Sequence, residues 1–137
     1  MSFEEDLRSD LQRDEGLKLK PYLCPAGKLS LGYGRNLDDV GITQDEAMAM
    51  LDNDIDRVNA QLAKALPWLE TKSPDVQRAI ANMTFQMGLG ALLKFKKMLA
   101  ALQARDYTAA RREALDSAWA KQTPQRAKRV TDLFKED

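Results

Sequence analysis

No histidine occurs anywhere in this 137-residue chain. The side chain that titrates nearest neutral pH is therefore missing, and Cys–His and Ser–His–Asp hydrolytic arrangements go with it. The commonest zinc ligand is missing too, so a zinc centre is not expected. One cysteine, Cys24, excludes an internal disulfide. No apolar run approaches the roughly 18 residues needed to cross a bilayer. The N-terminus, Met1-Ser2-Phe3-Glu4-Glu5-Asp6, is acidic and lacks a signal peptide's basic and apolar regions. The chain is expected to stay where it is synthesised unless another factor releases it.

Net charge is also absent: 21 basic side chains balance 21 acidic ones. Their distribution is uneven, with eight basic against fourteen acidic in residues 1–70 and eleven against six in residues 93–137. This is either ordinary surface variation or a basic C-terminal part that engages an anionic polymer. Without a long arginine or lysine block, no nucleic-acid partner is expected. The apolar content of 44% and charged content of 31% are those of a folded globule. A chain of this length forms one domain that buries about 65–70% of its unfolded surface, with no need of a metal or disulfide.

Phe3, Leu7 and Leu11 recur every fourth residue behind Ser2, so residues 3–14 are predicted as an amphipathic helix. Residues 17–23 and 28–33 alternate around Pro25-Ala26-Gly27-Lys28 and are predicted as a hairpin. Gly32 and Gly34 alternate with Leu31 and Tyr33, so backbone there either approaches something closely or simply bends. Asn36 to Gly41 is expected to be a loop. Thr43 with Glu46 forms a capping box for a long helix over about 44–65, which Pro67 stops. That length suggests a strut between two lobes. Ser73-Pro74 opens the next helix, and Gly88 and Gly90 are expected to break it. One segment through Leu92, Phe95, Met98, Leu99 and Leu102, another over about 108–118 and a last one capped by Thr123-Pro124 complete the chain. The fold class is α+β and mostly helical: a hairpin lobe over about 15–43, a connecting helix over about 44–65, and a helical lobe over about 68–137 that includes helix 3–14.

Glu15 falls at the junction of helix and hairpin, with Cys24 and Ser30 following on the hairpin. An acid on one side of a cleft and a water-orienting group on the other is the arrangement that hydrolyses a glycosidic bond. Taken alone, Glu15 is equally a surface carboxylate, although a helix C-terminus disfavours negative charge. Cys24 alone reads as an inert hydrophobe, and Ser30 as a hairpin side chain facing solvent.

Three stretches bear on the choice: Asp14-Glu15-Gly16-Leu17 with the hairpin ending Leu31-Gly32-Tyr33-Gly34, then Ala81-Asn82-Met83-Thr84-Phe85-Gln86-Met87-Gly88, then Ser117 through Val130 with Gln122-Thr123-Pro124-Gln125-Arg126-Ala127 inside it. Together they resemble the phage lysozymes of the T-even and lambdoid kind, muramidases that cut peptidoglycan, over roughly residues 3–134. The resemblance implies a lysozyme-like fold and a catalytic set of Glu15, Cys24 and Ser30, where the family has glutamate, aspartate or cysteine, and threonine. Glu15 is then the general acid. Cys24 is a thiolate base for water, a nucleophile, or an electrostatic stabiliser, with water activation and inversion favoured. Ser30 orients the water, keeping threonine's hydroxyl while losing the methyl that restricts its rotamers.

The same resemblance implies Phe85 and Gln86 as substrate-binding residues, although Phe85 is as readily a core aromatic. Arg126 is the implied structural partner of the acid. Trp119, Met83, Met87 and Met98 have spacing suited to a helical core. The implied activity is that of an endolysin hydrolysing the β-1,4 bond between N-acetylmuramic acid and N-acetylglucosamine and lysing the host. The rivals are a catalytically inactive peptidoglycan-binding module and a lytic transglycosylase on the same fold. No cofactor or metal is implied, and peptidoglycan is the partner. A monomer is expected to be made in the host cytoplasm, released with a holin's help without inserting in the membrane, and to act on the wall from the periplasm.

Overall fold

The computed structural model describes residues 2–136. By internal contacts the chain divides into two compact units, Met1–Ala49 and Met50–Asp137. The division falls within one helix.

The first unit opens with α1, Phe3–Glu15. Ser2 accepts a hydrogen bond from the Glu5 backbone N–H at 3.1 Å, and the Glu5 carboxylate accepts from the Ser2 backbone, which closes a capping box. The helix ends where Gly16 takes a φ of +70°, a conformation open to glycine and costly for a Cβ. Strands β1 (Lys18–Leu23), β2 (Leu29–Gly32) and β3 (Arg35–Asn36) form an antiparallel sheet in that order. Tyr22 faces Ser30 and Leu23 faces Leu29 across the first pairing, while Ser30 faces Asn36 and Leu31 faces Arg35 across the second.

The third strand corrects the expectation of a plain loop from Asn36. Two residues are too few to show alternation, and β3 is held instead by pairing and by side chains beyond it. The Asp38 carboxylate accepts the Leu29 N–H at 2.7 Å, and Asn36 and Asp39 bond each other. Among the described residues of this unit only Ser30 is buried. The unit is therefore held less by an apolar interior than by its ladder and this polar network.

Helix α2 spans Gln44–Ala65, within a residue of expectation. Thr43 Oγ accepts from the Glu46 N–H at 3.1 Å and the Glu46 carboxylate accepts from the Thr43 N–H at 2.8 Å. Pro67 ends the helix and begins a 3-10 turn, Pro67–Thr71. In the second unit follow α3 (Pro74–Met87), α4 (Leu89–Leu93), α5 (Lys96–Gln103), α6 (Tyr107–Leu115), α7 (Ala118–Gln122) and α8 (Pro124–Thr131). Ser73 caps α3 as expected, accepting from the Val76 N–H at 3.2 Å.

Three local expectations fail. Gly90 lies inside α4, so Gly88 alone breaks the chain there, with φ at +87°. Phe95 divides what read as one helix into α4 and α5. Thr123 makes no side-chain cap for α8 and instead donates back to the Trp119 carbonyl at 3.0 Å, closing α7, a short helix capped by Ser117. The core of this unit centres on Ile80, Met83, Leu92, Met98, Leu102 and Phe134, all essentially sealed from water. Each such side chain is worth about 1.5–3 kcal/mol in removal from water. Met83, Met98 and Trp119 are core residues as their spacing indicated, and Met87 is half-buried against them.

Candidate active site

Glu15 is the last residue of α1, and the Gly16 turn leaves its carboxylate exposed. The carboxylate rests against Gly34, in the turn between β2 and β3: a Cβ built on Gly34 lies 2.6 Å from Glu15 Oε2. Among the described residues of this unit it has no hydrogen-bond or ion-pair partner.

Cys24 lies one residue beyond β1, at the mouth of a tight turn. Its N–H donates to the Lys28 carbonyl at 2.9 Å, and its own carbonyl accepts from Gly27 N–H at 2.8 Å. The thiol is held below its ordinary pKa, chiefly by a hydrogen bond from the Lys28 backbone, with smaller help from the Ala26 backbone and the Ser30 hydroxyl; partial burial opposes them. Backbone donors converging in a turn stabilise a localised negative charge, which is the physical cause of the shift. The cysteine is partly rather than fully buried, so it is not a core hydrophobe.

Ser30 is buried, which overturns the solvent-facing reading of that side chain. Its hydroxyl donates to the Lys28 carbonyl at 3.2 Å and is one of the groups that lower the Cys24 thiol pKa. One hydroxyl proton serves one acceptor at a time. The carbonyl takes it when the thiol is neutral, and the sulfur competes for it when ionised.

Behind this sheet edge, Arg35 forms an ion pair with Glu46 and reaches the Gly41 carbonyl at 3.5 Å. The Glu46 carboxyl is pulled down to about 2, first by the Arg35 hydrogen bond and then by the Thr43 backbone N–H. The guanidinium is raised correspondingly. The capping box was legible from sequence; the second use of its carboxylate, eleven residues away in chain, was not.

In the second unit Phe85 is 47% exposed, so it is no core aromatic. It shares an apolar groove with Leu51, Ile55, Ala81, Asn82 and Arg126. Arg126 Nε donates to Asn82 Oδ1 at 3.0 Å. Gln86 is engaged elsewhere: its Oε1 accepts the Trp119 indole N–H at 2.8 Å, and Trp119 in turn meets Phe95 edge to face with centroids 6.2 Å apart. Structure thus groups Glu15, Cys24 and Ser30 in one unit, and Phe85, Gln86 and Arg126 in the other, with Phe85 and Arg126 on one groove. No group of three or more potential metal-ligating side chains occurs among the described residues. Sequence marked Gly34 only as a point of close approach or bending and Glu46 only as a capping residue; that Gly34 meets Glu15 and Glu46 pairs with Arg35 depends on contacts between distant residues.

A small antiparallel sheet, a long helix and a bundle of short helices, with a carboxylate at the end of the first helix, make up a lysozyme-type α+β architecture. The phage lysozyme family model matches residues 12–135, and the chain belongs to that family of glycoside hydrolases. An endolysin of Acyrthosiphon pisum secondary endosymbiont phage 1 is 37% identical over 118 residues, covering 81% of this chain and 75% of the relative. The pre-baseplate central spike protein Gp5 of Enterobacteria phage T4 is 32% identical, covering 90% of this chain but 26% of its own length, so the chain spans about a quarter of that protein. A probable T4-type lysozyme of Dictyostelium discoideum is 27% identical, with 93% and 92% of the two chains covered.

Proposed function

We propose that this chain hydrolyses the β-1,4 bond between N-acetylmuramic acid and N-acetylglucosamine in peptidoglycan. The observation that carries the reading is the disposition of groups about β2. Glu15 rests on Gly34 just past one end of the strand, and Ser30 meets Cys24 at the other. Four residues separate the two positions, at most about 14 Å of chain even if fully extended. Inverting glycosidases hold acid and base roughly 6.5–9.5 Å apart, leaving room for a water.

Glu15 donates its proton to the glycosidic oxygen as the bond breaks. Water attacks the anomeric carbon from the opposite face, and its proton passes to the Cys24 thiolate. The depressed thiol pKa supports the base role, because it makes the anion available nearer neutrality. Ser30, being buried, acts on that water together with Cys24 rather than from an exposed position of its own. Phe85 offers an exposed ring to a sugar face, and Gln86 offers its amide N–H₂, since its oxygen is taken by Trp119. Arg126 is assigned to support Glu15, as the resemblance implies; with Nε bonded to Asn82, its terminal nitrogens are left for a carboxylate.

The organisation proposed is one lysozyme-like domain: a sheet lobe over about 15–43, a connecting helix over about 44–65, and a helical lobe over about 68–137 to which helix 3–14 is counted. The biological reading is host lysis by a monomer made in the cytoplasm, released through a holin and acting on the wall from the periplasm. The T4 spike protein favours a second setting, in which the same wall-cutting domain serves inside a larger phage protein.

Glu15→Gln tests the chemistry. The variant is expected to keep its thermal transition and to lose clearing of chloroform-treated Gram-negative cells. Substantial residual clearing removes Glu15 from the role of acid. Wall binding without clearing by the unmodified protein favours the inactive binding module, and 1,6-anhydro products favour the transglycosylase.

A further inference from the structure

Glu15 ends a helix, and its carboxylate has neither hydrogen-bond nor ion-pair partner among the described residues of its unit. A side chain with three rotatable bonds samples several rotamers unless contacts restrict it, whereas general-acid catalysis needs its proton held at one place. One close neighbour within the same unit restricts it. Position 34 carries no Cβ, and an ideal Cβ there lies 2.6 Å from Glu15 Oε2, 3.0 Å from Cδ and 3.2 Å from Cγ. The carboxylate occupies the space a side chain would fill.

The floor of that space is fixed from both sides. Gly34 precedes Arg35, which pairs with Leu31 across the β2–β3 ladder and with Glu46 at the start of α2. It follows Tyr33 and Gly32, and both flanking glycines have left-handed backbone, φ +73° at Gly32 and +75° at Gly34. The two glycines differ in one respect. A Cβ on Gly32 meets nothing within 4 Å, while the three atoms nearest to one on Gly34 all belong to Glu15.

We propose that Gly34 is a positioning residue for the reaction: its bare α-carbon, held by Arg35 and Glu46, is the seat that fixes the Glu15 carboxyl group. This rests on the reading of Glu15 as the acid. Any side chain at 34 displaces the flexible carboxylate rather than the backbone, so the expected damage is to catalysis above fold.

The pair Gly32→Ala and Gly34→Ala separates seat from strain. Both place a Cβ on left-handed backbone and are expected to lower the thermal midpoint by similar amounts. Gly34→Ala alone is expected to lower kcat by about tenfold or more with KM little changed, since an ångström of misplacement costs that much. Gly32→Ala is expected to keep the parental kcat. Equal kcat values in the two variants, whether both high or both low, overturn the seat. A second readout on the unmodified protein stands even if Gly34→Ala fails to fold: nuclear Overhauser contacts between the Glu15 γ-protons and the Gly34 α-protons are expected, and their absence overturns the proposal. If the contacts are present while Glu15→Gln remains active, the seat stands and the assignment of the acid falls.

Discussion

The indole N–H of Trp119 donates to Gln86 Oε1 at 2.8 Å, joining the α7 tryptophan to the end of α3. The tryptophan is largely buried, and the bond gives its indole donor a partner. Gln86→Leu leaves that donor unpaired and is expected to destabilise the protein by about 1–3 kcal/mol in urea denaturation. Adding Trp119→Phe removes the orphaned donor, so the two losses are expected to sum to more than the loss in the double variant. Strict additivity contradicts the bond.

Acid is expected to weaken the Arg35–Glu46 pair in a defined window. The Glu46 carboxyl is lowered from its ordinary 4.5 to about 2, so the folded state holds the anion more strongly than the unfolded chain does. Stability from the pair is present above the unfolded value and is lost as pH falls from about 4.5 through about 2. The stability difference between the parent and Glu46→Gln is expected to be largest near neutrality and to shrink through that range. Both partners are more than a third exposed, so salt is expected to reduce the difference. A difference that is flat from pH 5 to pH 2 contradicts the pair.

Cys24 is expected to ionise below its ordinary 9.0. Thiolate absorbance followed against pH gives the midpoint directly, and a value at or above 9.0 contradicts the turn-amide account. Ser30→Ala is expected to raise the midpoint, because it removes one donor to the sulfur. Cys24→Asp is expected to retain wall hydrolysis, since a carboxylate in the same place also accepts a proton from water. Loss of activity in a stable Cys24→Asp protein points instead to chemistry that needs sulfur.

Legibility in the sequence followed the range of the forces at work. The bounds of α1 and α2 were readable because a cap at Ser2, the Thr43–Glu46 capping box and Pro67 act within a few residues. Strand β3 was not, because its pairing partners lie across a turn rather than in its own pattern. Thr123-Pro124 carried a cap signature, yet the hydroxyl found a nearer acceptor in the Trp119 carbonyl. Glu15, Cys24 and Ser30 stood out as candidates by position and by resemblance. The glycine alternation marked a close approach or a bend at Gly34, but the burial of Ser30 and the choice of Glu15 as what meets Gly34 come from tertiary packing.

The anomeric configuration of the first-formed sugar product tests the chemistry most directly, read by rapid nuclear magnetic resonance before mutarotation. Attack by a water held opposite Glu15 inverts the β-linkage, so the α-anomer is expected first. An initial β-anomer, or a 1,6-anhydro end, contradicts direct water attack.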